Sequence, residues 1–127
     1  MILFADFEPG AEMGSLTETV SEQQLAEWAL LYPWDTPTDS IPLGLATVLM
    51  MRAYLHVVSP RPPGNLHVRQ QMRLHTPIHA GEAIVTTIAC QAKEMRGERR
   101  KLELLAKGRA ADGRAVFDGT LTLYWAA

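Results

Sequence analysis

From Ile41 to Val58 the chain is apolar at nearly every position, and Arg52 is its one fully charged side chain. A run that is apolar on almost every face predicts a long helix buried inside a core. Pro42 suits the first turn, where a missing N–H costs no hydrogen bond. The stretch Ser59-Pro60-Arg61-Pro62-Pro63-Gly64 ends it. Pro42, Arg52 and His56 argue against a membrane span.

A shorter helix is expected upstream. Ser21 to Gln24 reads SEQQ, a capping box in which Ser21 caps and Gln24 reaches back to the Ser21 amide. Val20 and Leu25 stand where a hydrophobic staple puts them. The spacing predicts a helix over Glu22 to Leu31, ended by Pro33, with Leu25, Trp28 and Ala29 on one face. Tyr32 to Ser40, with Pro33 and Pro37, is a loop.

Past Gly64 the period changes to two. Leu66, Val68, Met72 and Leu74 alternate with His67, Arg69, Gln71, Arg73 and His75. This predicts a strand with one buried and one wet face. Thr76 to Glu82 is a turn. Further strands are expected from Ala83 to Glu94 and from Arg99 to Ala110, joined at the tip Arg96-Gly97-Glu98. Asp112-Gly113 marks another hairpin. The closing strand carries Phe117, Leu121, Leu123 and Trp125 on one face. Met13 to Val20 is a candidate early strand. The expected order is strand, short helix, loop, long helix, then four strands in a meander. One antiparallel sheet must wrap the long helix, because nothing else in the chain can bury it.

Composition narrows the function. The chain has 127 residues, 47% of them hydrophobic, which suits one domain over residues 1–127 with a core of its own. The net charge of -2 gives no long-range case for nucleic acid or an anionic membrane. Cys90 is the single cysteine, so no internal disulfide can form. That, and an N-terminus with Asp6 and Glu8 where a signal peptide needs basic residues, suggests the cytoplasm. His56, His67, His75 and His79 are scattered, so no metal or cofactor is expected.

The order of elements matches the hotdog fold, an α+β architecture. Four stretches resemble the MaoC-like dehydratases, the (R)-specific enoyl-thioester hydratase type. SEQQLAEWALLYPWDTP resembles the family's opening helix running into a Gly-Asp-x-Asn-Pro-x-His loop. IPLGLATVLMMRAYL resembles its Ile-Ala-His-Gly and central helix. VRQQMRLHTPIHAGEAI and AADGRAVFDGTLTLYW resemble the following strand and turn, and the closing hairpin. Together these cover about Phe7 to the C-terminus.

The resemblance implies addition of water to a trans-2-enoyl thioester, or its removal from a 3-hydroxyacyl thioester. Asp35 falls on the motif Asp, with Trp34 replacing Gly. Gly44 keeps the amide that would meet the thioester carbonyl, where enolate charge builds and a helix N-terminus stabilises it. The loop's histidine has no counterpart, because Thr38, Asp39 and Ser40 stand in its place. Asp35 and Asp39 form either an acid–base pair or two ordinary loop aspartates. Gly44 serves either a ligand carbonyl or tight packing of the helix start. Trp34, Leu43 and Leu45 flank these positions and are the candidate substrate contacts.

The basic cluster Arg96, Arg99, Arg100 and Lys101 either meets coenzyme A phosphates or an acidic carrier protein, or is simply solvated. Edge strands favour a homodimer or higher oligomer. Three functions follow. The first is an enoyl-thioester hydratase or dehydratase. The second is a non-catalytic subunit paired with a catalytic MaoC-like chain, which the absent histidine favours. The third is a thioesterase, against which stands the lack of an acidic residue on the central helix. In each, the ligand is an acyl thioester on coenzyme A or a carrier protein.

Overall fold

The structure, a computed structural model, describes residues 1–37 and 40–127. A 3-10 turn, Phe4–Asp6, precedes β1 (Glu12–Thr19), α1 (Glu22–Leu31), α2 (Leu43–Val57), β2 (Leu66–Leu74), β3 (Ala83–Arg96), β4 (Arg99–Ala110) and β5 (Ala115–Trp125). The five strands form one antiparallel sheet in the order β1-β3-β4-β5-β2. Helix α2 packs across β1, β3 and β4. This is the hotdog arrangement of sheet and central helix.

The local signals explain most of the elements. Ser21 Oγ accepts from the Gln24 amide at 3.1 Å, and Gln24 Oε1 accepts from the Ser21 amide at 2.8 Å. That reciprocal pair satisfies two orphan donors and starts α1. The two-residue turn at Gly97 and Glu98 joins β3 to β4, with Gly97 at φ 63°, which only glycine adopts freely.

Helix α2 buries Leu45, Ala46, Leu49, Met50, Ala53 and Tyr54 against the sheet. They meet Ile84, Ile88, Leu102, Leu104, Phe117, Leu121 and Leu123 in the core. Each such aliphatic side chain contributes about 1.5–3 kcal/mol on burial. Phe7 and Trp125 pack edge to face at 5.1 Å. The Trp125 indole N–H donates to the Ile2 carbonyl at 3.0 Å, which ties the N-terminal segment over one end of the core. No helix among the described residues is long and apolar enough to cross a membrane.

Three expectations need correction. Pro42 is not inside the first turn of α2. It is the N-cap, in extended conformation at φ -64° and ψ 150°. The four C-terminal strands do not form a meander. Only β3, β4 and β5 do, while β2 lies at the far edge beside β5. The segment after β2 is therefore a crossover to the other side of the sheet, not a hairpin turn.

Nor does β2 present one buried apolar face. Its register with β5 slips between His67 and Arg69, so Val68 is a bulge residue. The slip moves Leu66 to the outer face and His67 to the side of α2, where its ring lies 6.5 Å from that of Tyr54. Leu66, Val68 and Leu74 are 57%, 50% and 38% exposed, and Met72 alone is half-buried.

Candidate functional site

The loop after α1 folds back onto the start of α2. Trp28 projects from the half-buried face of α1. Its indole Nε1–H donates to Oδ2 of Asp35 at 3.2 Å. The Asp35 amide donates to the Tyr32 carbonyl at 3.0 Å, which closes a tight turn. Trp28, Tyr32 and Trp34 make a chain of ring contacts, at 4.5 and 6.0 Å between centroids. These contacts bring Asp35 to the amide end of α2.

Gly44 is the position where the two meet. A Cβ built on it would lie 2.5 Å from Trp28 Cζ2 and 3.2 Å from Asp35 Oδ2. Such approaches are closer than carbon and oxygen tolerate, so glycine is required for packing here. The packing reading of Gly44 therefore has a direct physical cause. The ligand reading keeps one support. Pro42 caps α2 without a side-chain bond, and the first in-helix amide bonds are those of Leu45 and Ala46 to the Pro42 carbonyl. Among the described residues nothing accepts from the Leu43 and Gly44 N–H groups. Two orphan amides at the positive end of a helix are a preorganised anion or oxyanion donor.

The remaining candidates are dispersed. Trp34 is 80% exposed and Leu43 is 54% exposed beside this corner. Leu45 is a core residue under the sheet. Asp39 lies outside the described residues, so the Asp35–Asp39 pair has no geometry to report. An open groove of about 310 Å³ runs along α1, lined by Leu25, Trp28, Asp35 and Pro42 among others.

The basic tip residues have intramolecular partners. Arg96 and Lys101 each meet Glu94 at 3.7 Å, Arg99 stacks over Tyr124, and Arg100 donates to the Ala126 carbonyl at 3.2 Å. Among the described residues no group of three potential metal ligands forms a cluster.

Two features carried no sequence signal. Trp28 is legible as a helix-face residue, but nothing in the sequence joins it to Asp35. His79 follows Ile78, whose carbonyl accepts the Ile41 amide at 2.7 Å. The crossover thus carries an imidazole to the loop that precedes α2. The His79 amide donates to Glu82 Oε1 at 2.8 Å, and Arg114 Nη2 donates to Glu82 Oε2 at 2.6 Å. These two donors hold the Glu82 carboxyl below the usual carboxylate range.

No protein-family model matches the sequence, and no curated protein matches it. Solved structures do match. A MaoC-like dehydratase from Rhodospirillum rubrum superposes with a TM-score of 0.85 over 98% of this chain and 97% of that one, at 13% identity. The unliganded R-hydratase PhaJ1 from Pseudomonas aeruginosa gives 0.77 over 98% and 85%, at 17% identity. The C-terminally truncated HadBC complex, a 3R-hydroxyacyl-ACP dehydratase from Mycobacterium tuberculosis, gives 0.69 over 90% and 98%, at 18% identity. The fold is therefore the hotdog fold in the form these dehydratases and hydratases share.

Proposed function

We propose that the protein binds an acyl thioester, carried by coenzyme A or a carrier protein, in the manner of enoyl hydratases and 3-hydroxyacyl dehydratases. The observation that carries the reading is the convergence of the Asp35 carboxylate and the free amides of α2 at Gly44. The thioester carbonyl would sit at the Leu43 and Gly44 N–H groups. Its acyl chain would lie between the sheet and α2. In hydration, water oxygen bonds to C3 while electron density moves onto the thioester oxygen, and a proton then reaches C2. The amides stabilise that oxygen, and a carboxylate accepts the water's proton. Asp35 is the group placed for that second task. The cytoplasm suits the single cysteine.

A second reading rests on the Trp28 contact. Asp35 already accepts from the indole, and the indole covers Gly44. A carboxylate held this way supports a structural role. The chain would then be a binding subunit whose chemistry comes from a catalytic partner.

Purified protein incubated with crotonyl-coenzyme A separates the two, with loss of the enoyl absorbance and the melting temperature as readouts. Hydration abolished by Asp35→Asn supports catalysis by this chain. Thermal stabilisation without hydration supports the subunit reading. Neither hydration nor stabilisation sinks the thioester reading.

A further inference from the structure

Strand β2 ends the sheet. It pairs with β5 on one side, and its other backbone edge has no strand beside it. An open edge of nine residues is a template for another chain. Its side chains define what that chain must be. Over Leu66 to Leu74 the strand carries Arg69, Arg73 and His67, and no Asp or Glu.

Arg69 and Arg73 point to the face away from α2, in register with Thr122 and Asp118. Neither has a carboxylate partner among the described residues, because Asp118 instead meets His75 Nε2 at 2.9 Å. The exposed Leu66, Val68 and Leu74 add apolar surface to the same strand.

A second copy of the chain fits this edge poorly. In two-fold antiparallel pairing, outer-face residues of one strand meet outer-face residues of the other. With the axis at Gln71, Arg69 lies directly opposite Arg73 of the second copy, twice. With the axis at Gln70 or Met72, the arginines become diagonal neighbours. With the axis at Arg69 or Arg73, that arginine faces itself. Directly opposed residues approach to about 4.5–5.5 Å and diagonal ones to about 7–8 Å, and like charges at these distances are destabilising. No carboxylate stands on either strand to relieve them.

Arginines and a bulge also serve to guard an edge against pairing. A guard has no use for three exposed apolar side chains on the same strand, and these favour a partner. From the charges, the apolar residues and the free backbone edge together, we infer that β2 takes the edge strand of a different chain. That strand carries carboxylates opposite Arg69 and Arg73. The inference is independent of the thioester ligand.

A charge-reversed copy of the protein supplies an acidic-edged probe. Wild type, Arg69→Glu/Arg73→Glu, and their equimolar mixture are compared by sedimentation velocity and native mass spectrometry. Melting curves check that the variant is folded, as expected for two exposed positions. The expected result is a 1:1 complex in the mixture, at least tenfold tighter than self-association of either protein alone. It weakens as salt is raised, because exposed pairs are screened.

Arg69→Glu alone provides a second reading. It makes the strand self-complementary and should dimerise where wild type does not. A wild-type dimer that the double reversal leaves unchanged would overturn the inference in favour of another interface. A β2-dependent wild-type dimer as tight as the mixed one would make a second copy the occupant. A mixture that associates no better than its components would show the edge to be a guarded one.

Discussion

Trp28 and Asp35 are joined by one hydrogen bond, Nε1–H to Oδ2 at 3.2 Å, and that bond closes directly over Gly44. Three residues from three segments are thereby fixed at the amide end of the central helix. An added methyl group has no room between the helix backbone and the indole. Gly44→Ala is expected to cost about 1–3 kcal/mol through overpacking. Trp28→Ala in the same chain should remove the clash, so the two substitutions together cost less than their sum. Urea denaturation of the four variants measures this. Strict additivity would mean that the indole does not cover Gly44.

The bond itself is separable from the packing. Trp28→Phe keeps an aromatic ring and loses the N–H. Asp35→Asn keeps the shape and loses the charge. A part-buried bond to a carboxylate contributes about 0.5–1.5 kcal/mol, or somewhat more. A double-mutant cycle with these two changes should show a coupling in that range. A coupling near zero would free Asp35 from its structural role and strengthen its catalytic one.

The two glycines that face the core from β4 and β5 should respond differently. A Cβ at Gly108 would run into the ring of Phe117, and one at Gly119 into the thioether of Met50. Phe117 is fully buried and its ring has no free end to move. The Met50 side chain has three rotatable bonds and adapts. Gly108→Ala is therefore expected to destabilise by about 2–3 kcal/mol and Gly119→Ala by about 1 kcal/mol less. Thermal melts of the two variants rank them, and the reverse order would refute this account of the contacts.

Much of this architecture was legible from local chemistry. The capping box at Ser21, the apolar run of α2 and the glycine-bearing hairpin turns each need only neighbouring residues to act. Their boundaries accordingly appear where the sequence puts them. What was not legible depends on partners far away in the chain. The bulge at Val68 is set by pairing with β5, and a period-two pattern has no mark for it. The crossover after β2 has the length of a turn, so strand order was hidden. The same holds for the site. Asp35 and Gly44 stood out by resemblance, but their meeting depends on the Trp28 indole, which sequence spacing cannot orient.

Glu18 illustrates a cost that only the folded chain exposes. Its side chain lies on the α2 side of edge strand β1, opposite Ile84 and diagonal to Thr86, with 11% of its surface exposed. Oε2 has no hydrogen-bond partner, and Oε1 is 3.9 Å from Arg52 Nη1. Burial pushes the carboxyl up from the usual range, although Arg52 and His56 of α2 oppose this. From β3 only Ile84 and Thr86 face it, and neither carries charge.

A raised folded-state pKa means that the folded chain holds the proton more tightly than the unfolded chain. Stability from this group is full below the ordinary carboxylate range, and it is lost as pH rises through the folded pKa. Glu18→Gln removes the ionisation. At pH 8 the variant is expected to be more stable than wild type by about 1 kcal/mol, a gain of roughly 3–5 °C in Tm. The gain should shrink as pH falls toward 4, where the wild-type carboxyl is protonated as well. Parallel Tm profiles for the two proteins from pH 4 to 8 would show that burial of Glu18 carries no such cost.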